Sequence, residues 1–217
     1  VPVYFAPGCG PGKGVNLSTW PYPRIFAHRC GGVLAPENSL AGLRAAHAQG
    51  CRAVEFDVML TASGVPVVIH DETLDRTTLH TGRVCELQDE ELATVRINRG
   101  WGSRFVDELL PTFAQVAELS LQLGLTANIE IKPAGGYEMQ TGRVVAEYAA
   151  RFWQRHRPPP LLSSFSTCAL EAARTAAQQL PRGWLVDQLP ADWLAYAQAL
   201  GVVSIHVNVR HLTRDQV

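Results

Sequence analysis

From Arg24 onward, short runs rich in Val, Ile and Leu alternate with longer stretches whose apolar residues recur every three to four positions. A short apolar run bounded by turn residues suits a strand buried on both faces. A helix-period stretch between two such runs suits the crossover that joins parallel neighbours. Seven runs qualify: Arg24–His28, Ala53–Val58, Val65–His70, Thr126–Lys132, Leu161–Phe165, Gly183–Asp187 and Val203–Asn208. Helical spacing marks Leu110–Leu123, residues 139–156, Thr167–Gln179 and Asp192–Leu200. A further helix starts at Asn38 as N-cap, carries Leu40, Leu43 and Ala46, and closes at Gly50. The pattern predicts an α/β chain. Its serial units suit a (β/α)8 TIM-type barrel better than an open sheet, with the eighth β/α unit lacking. Residues 71–110 are polar and read as a small insertion after the third strand. Residues 1–19, broken by glycines and prolines, read as a flexible leader that need not be native, ahead of a barrel over 20–217.

Composition excludes several function classes. A chain of 217 residues with 47% hydrophobic content can bury one sizeable core. Its net charge of −1 argues against a nonspecific binder of nucleic acid or of a membrane surface. No apolar run approaches the roughly 20 residues that span a bilayer, so no stable membrane association is expected. The five cysteines, at 9, 30, 51, 85 and 168, are odd in number and form no C-x-x-C pair. They suit reduced thiols in a cytoplasmic protein better than a zinc knuckle or a disulfide framework. Gly12-Lys13 fails the phosphate-loop pattern, because Pro7 stands where a glycine is required and Gly14 where Ser or Thr is. Lys132 and Lys13 are the two lysines beside 17 arginines, which suits positions that want a compact point charge.

The polar residues gather at the C-terminal ends of the predicted strands, where barrel enzymes carry their active sites. His28 and Arg29 end the first, Glu55 and Asp57 the second, His70 the third, and Glu130 and Lys132 the fourth. Ser164 ends the fifth, and His206 and Asn208 end the seventh, as wall residues. Glu55-Phe56-Asp57 is the sharpest signal. Residues two apart on a strand share a face, so both carboxylates point inward while Val54, Phe56 and Val58 meet the helices. Buried like charges repel unless one is protonated or a cation lies between them. Glu130 adds a third inward carboxylate, and three suit one hard divalent cation, Mg²⁺ or Ca²⁺. The alternative is solvated charge at strand ends, or a structural Glu130–Lys132 ion pair. His28 and His70 suit general acid and base work near neutral pH. Arg29 and Lys132 suit an anionic group, most naturally phosphate. No G-x-S-x-G motif and no Ser/His/Asp arrangement is present.

The stretch Ala27–Leu40, AHRCGGVLAPENSL, resembles the opening signature of the glycerophosphodiester phosphodiesterases. So do Glu55-Phe56-Asp57, Val67-Val68-Ile69-His70-Asp71, Leu74-Asp75-Arg76-Thr77-Thr78, Asn128-Ile129-Glu130-Ile131-Lys132 and Leu162-Ser163-Ser164-Phe165, in that order. The resemblance runs from about Trp20 to the end. It implies metal-dependent hydrolysis of a small-molecule glycerophosphodiester to glycerol 3-phosphate and an alcohol, by way of a cyclic phosphate. It implies Glu55, Asp57 and Glu130 as ligands of one divalent cation, and His28 and His70 as the acid–base pair. It implies Arg29 and Lys132 as phosphate contacts and Glu37 as a further substrate-site residue. Two departures stand out. Cys30 occupies the family's usual glycine, and a thiol there is strained if the backbone needs positive φ. The lacking eighth unit leaves strand edges exposed, which would favour self-association. Two other readings stay open on these grounds: a truncated, noncatalytic relative that binds phosphodiesters, and a lyase that stops at the cyclic phosphate.

Overall fold

The computed structural model describes residues 3–5 and 20–213. Its strands are β1 (Val3–Phe5), β2 (Ala53–Leu60), β3 (Pro66–Val68), β4 (Thr126–Ile131), β5 (Leu161–Ser164), β6 (Arg182–Val186) and β7 (Ser204–Val207). The helices are α1 (Leu40–Ala48), α2 (Asp89–Leu92), α3 (Phe113–Gln122), α4 (Glu138–Phe152), α5 (Thr167–Ala176) and α6 (Trp193–Leu200). The sheet runs β1-β7-β6-β5-β4-β2-β3. From β2 through β7 its neighbours β2, β4, β5, β6 and β7 pair in parallel, with helices as crossovers, which is the TIM-type pattern.

Period-two alternation builds the wall. Val54, Phe56, Val58, Ala127, Ile129 and Ile131 pack outward into a cluster with Leu43 of α1, Val116 of α3 and Val145 of α4. Phe113 centres its aromatic part, edge-on to Phe56 at 6.1 Å and to Tyr148 at 5.8 Å. The intervening residues of the same strands face inward. One cavity is lined by Phe26 and His28, beside β2, and by His206 and Val209, on and just after β7, so the wall curls around it.

Several expectations are corrected. The predicted strand Arg24–His28 is reduced to one bridge, Ala27 to Val54 in parallel. The strand predicted at Val65–His70 is three residues long and antiparallel to β2, because the turn after Leu60 closes a hairpin instead of a crossover. β4 therefore pairs directly with β2. The helix predicted from Leu110 begins at Phe113, where the Thr112 hydroxyl accepts from the Gln115 N–H. The N-cap of α1 is Ser39, whose hydroxyl accepts from the Gly42 N–H. Asn38, at φ 57°, lies outside the helix.

Residues 71–110 carry an apolar cluster of their own, with Leu74, Val84, Val95, Ile97 and Leu110 packed on Met59 and Ile69. Glu108 from this stretch accepts the Ala41 N–H, so it supplies the carboxylate that α1 lacks in its first turn. Most of the expected leader lies outside the described residues. Val3–Phe5 departs from it as a strand, lying antiparallel along β7. Cys30, Cys51, Cys85 and Cys168 are free thiols, and Cys9 lies outside the described residues. Among the described residues no helix is long and apolar enough to cross a membrane.

Candidate active site

The inward cavity has a volume of about 370 Å³, within the range of small-molecule sites. His28, Glu55, His70, Glu130 and Lys132 line it, together with Asn128, His206 and Asn208. β2 supplies Glu55 and Asp57 from its middle, since the strand continues to Leu60. β4 supplies Glu130, paired in register with Asp57. His70 arrives two residues after β3, where the Ile69 N–H donates to the Asp57 carbonyl at 3.0 Å. The hairpin thus returns a histidine beside the carboxylates it has just left.

One carboxylate oxygen from each of Glu55, Asp57 and Glu130 lies within 4.8 Å of the others. Asp57 is 1% exposed and lies behind the lining. Its Oδ2 accepts from Asn38 Nδ2 at 2.8 Å, and its N–H donates to Asn38 Oδ1 at 3.3 Å. Lys132 Nζ stands 3.6 Å from Asp57 Oδ1 and 3.8 Å from Glu130 Oε1. Burial, then the charges of Asp57 and Glu130, push the Glu55 carboxyl well above its ordinary range. Burial and Asp57 push Glu130 up to about 7. Glu55 Oε1 is buried without a hydrogen-bond partner. A buried carboxylate oxygen with no donor, beside two further acids, fits a cation-binding donor set. The all-oxygen donors suit a hard ion.

The turn before α1 holds the next group. Arg29 and Cys30 both take left-handed backbone, at φ 49° and 67°. The Arg29 N–H therefore points at Glu55 Oε2, 2.9 Å away, and the Cys30 N–H donates to the Glu55 carbonyl at 2.8 Å. Cys30 does occupy the position where positive φ disfavours a side chain. Its thiol is buried in the core and pushed up by that burial. Gly31 cannot carry a side chain, because a Cβ there would fall 2.6 Å from Gly42 Cα and 2.6 Å from its carbonyl oxygen.

His28 is mostly exposed at the rim, its Nε2 3.9 Å from Glu55 Oε2. Burial on its inner side, then Arg29, hold its imidazole below the usual range. His70 Nδ1 lies 2.6 Å from Asp71 Oδ1. Arg29 and Glu37 stand one layer behind the lining. Both Glu37 oxygens are engaged, Oε1 by Arg29 Nη1 and Arg76 Nη2, and Oε2 by Arg76 Nη1. Ser164 turns away from the cavity and donates to the Ile131 carbonyl at 2.6 Å. His206 is buried, sits 2.9 Å from the Ser204 hydroxyl, and is pushed down to about 3 by burial. It is a neutral wall residue near neutral pH.

Five contributors escaped sequence reasoning. Asn38 looked like a helix cap, and the one hint in the sequence is that Asn, more than most residues, adopts the positive φ seen here. Asn128 lies two residues before Glu130 on the same inward face. Phe26, Phe165 and Leu185 form the cavity's apolar wall, and nothing in their local pattern separates them from core residues.

The model of the glycerophosphoryl diester phosphodiesterase family matches residues 28–217. Glycerophosphodiester phosphodiesterase 1 of Homo sapiens is 40% identical over 109 residues, covering 49% of this chain and 33% of that protein. A glycerophosphodiester phosphodiesterase of Caldanaerobacter subterraneus is 34% identical over 165 residues, covering 74% of this chain and 65% of that protein. The chain thus spans about a third of the human relative and just under two thirds of the bacterial one. An Oleispira antarctica phosphodiesterase, solved in complex with the product sn-glycerol-3-phosphate, shares the fold at a TM-score of 0.82. Its identity is 32%, with 92% of this chain and 80% of that chain covered.

Proposed function

The chain belongs to the glycerophosphoryl diester phosphodiesterase family, and from that membership we propose that it hydrolyses glycerophosphodiesters to glycerol 3-phosphate and an alcohol. The observation that carries the reading is the convergence of Glu55, Glu130, His28, His70 and Lys132 on one cavity, with Asp57 beneath. In this proposal Glu55, Asp57 and Glu130 hold one Mg²⁺ or Ca²⁺, which when bound polarises phosphoryl oxygens and acidifies a nearby hydroxyl. Lys132 sets a point charge beside that position and draws in the phosphodiester anion. Arg29 adds positive charge from behind.

The two histidines move the protons. One removes the proton of the glycerol 2-hydroxyl as its oxygen attacks phosphorus. The other gives its proton to the departing alcohol oxygen as the P–O bond breaks. The product is a cyclic phosphate. Water then opens the ring, losing a proton to one histidine while the other protonates the leaving ring oxygen. The cytoplasmic placement expected from the cysteine pattern belongs to the same proposal.

The test is release of glycerol 3-phosphate from glycerophosphocholine by this chain, with EDTA and then with Mg²⁺ or Ca²⁺ restored. The expected result is turnover that EDTA abolishes and a cation restores. A folded protein without turnover would count for the noncatalytic reading, and a cyclic phosphate that accumulates unopened would count for the lyase.

A further inference from the structure

Arg76 belongs to a motif that the chemistry above leaves unused. Its guanidinium makes two forks. Nη1 and Nη2 donate to Glu37 Oε2 and Oε1 at 2.9 and 2.7 Å. Nε and Nη2 donate to Asp71 Oδ2 and Oδ1 at 2.6 and 3.0 Å. Each carboxylate hands the constraint to a different site residue. Asp71 meets His70 Nδ1, and Glu37 accepts from Arg29 Nη1. Arg29 in turn donates its backbone N–H to Glu55 and sets Nε 3.9 Å from Asp57.

Chemistry decides where the proton lies in the His70–Asp71 contact. A carboxylate that already accepts two Arg76 bonds is ionised and can only accept. The proton therefore sits on His70 Nδ1, and Nε2 is the nitrogen left for proton exchange with substrate. The same Arg76 bonds, foremost among the causes, hold Asp71 below the ordinary carboxylate range. For Glu37, burial works upward but the bonds and charges of Arg76 and Arg29 outweigh it. The Arg76 side chain is 48% exposed, and its two forks hold both carboxylates in one geometry. That geometry is directed at the two site residues the carboxylates touch.

We propose that Arg76 is a positioning residue for the hydrolysis. It locks Asp71 against His70 and Glu37 against Arg29, so one guanidinium sets both a proton-transfer histidine and the arginine that backs the carboxylate cluster. This rests on the phosphodiesterase reading of the cavity and extends it to a side chain outside the lining.

The experiment compares the wild-type chain, Arg76→Lys and Asp71→Asn. It measures kcat and KM on glycerophosphocholine at saturating Mg²⁺, the ¹⁵N shifts of the His70 ring, and the melting temperature. Lysine keeps the charge but cannot fork two carboxylates. Arg76→Lys is expected to lower kcat by about tenfold or more, the scale of losing an orienting partner, and to mix the His70 tautomers. KM should stay within about threefold, because transition-state placement is lost and not uniform binding. Asp71→Asn, nearly isosteric, is expected to lose the Nδ1–H tautomer and to lower kcat by about 10²-fold or more. Melting temperatures should stay close to wild type in both. The proposal is overturned if Arg76→Lys keeps kcat within twofold, or loses activity through KM alone with the His70 shifts unchanged. Should the wild-type chain be inactive, the phosphodiesterase reading fails by itself. The ring shifts then still decide the clamp, and a His70 tautomer indifferent to both substitutions overturns it.

Discussion

Glu55 is 8% exposed and clusters with two further carboxylates. Burial and two like charges oppose its ionisation, and one oxygen has no donor. A side chain in that position destabilises the cation-free fold and is useful once a cation neutralises it. Glu55→Gln keeps the shape and removes the charge. Without added cation the variant should melt a few degrees above wild type, read by calorimetry. With saturating Mg²⁺ its glycerol 3-phosphate release should fall by at least about 100-fold, beyond the loss usual for a residue one layer further out. A variant that melts lower without cation, or keeps turnover, would remove Glu55 from the cation-binding set. Cys30 shows a milder conflict. Its left-handed backbone costs about 1–2 kcal/mol, and its buried thiol offsets part of this by packing in the core.

Among the elements, β2 does most to build the cavity. Its first six residues pair with β4, and its last three pair with β3, with Val58 common to both. Glu55 and Asp57 stand mid-strand, paired with β4 on one edge and bonded on the other by the backbone of Ala27, Cys30 and Ile69, instead of fraying at an end. The hairpin then brings His70 back beside them. Behind this wall α4 and α5 must lie close, and Gly142 permits it. A Cβ on Gly142 would fall 2.3 Å from the Ala169 carbonyl oxygen, which no rotamer can relieve. Gly142→Ala should therefore destabilise the chain by about 1–3 kcal/mol, the usual range for overpacking. Urea denaturation would show this as a lower midpoint at an unchanged slope. A midpoint equal to wild type would mean that the two helices separate at no cost.

For the whole molecule, the cavity's charge makes stability depend on pH in a definite direction. The folded state raises the Glu55 and Glu130 carboxyls above their unfolded values of about 4.3, Glu130 to about 7. Folded protein then binds protons that unfolded protein has released. Stability conferred by the protonated acids is complete below about 4.3 and declines as pH rises toward about 7. Glu37 and Asp71, held low, act in the opposite sense only at more acidic pH. His28 and His206, held low by burial, also act in the opposite sense, but only below about 6.5, a narrower part of the window than the one over which Glu55 and Glu130 act. Cation-free protein should accordingly melt lower at pH 7.5 than at pH 5.5, and saturating Mg²⁺ or Ca²⁺ should remove the difference. Melting curves that coincide without cation, or that no cation shifts, would refute the carboxylate cluster as the source.

The sequence by itself determined the alternation of strands and helices, the inward aim of Glu55, Asp57 and Glu130, and the family motifs. These are local properties: strand periodicity and short-range spacing need no distant partner to be read. It missed the antiparallel β3, because a six-residue apolar run reads alike whether its neighbour lies across a crossover or a hairpin turn. It assigned Asn38 to a helix cap, although its amide grips Asp57 nineteen residues on. The resemblance placed Glu37 at the substrate site, and the pairing of both its oxygens with Arg29 and Arg76 was not legible there. Those pairings join residues 8 and 39 positions apart, and Glu108 reaches α1 across 67. Only tertiary structure decides such contacts, because a side chain's hydrogen-bond partner is set by where the folded backbone brings two segments together, and no local periodicity encodes that distance.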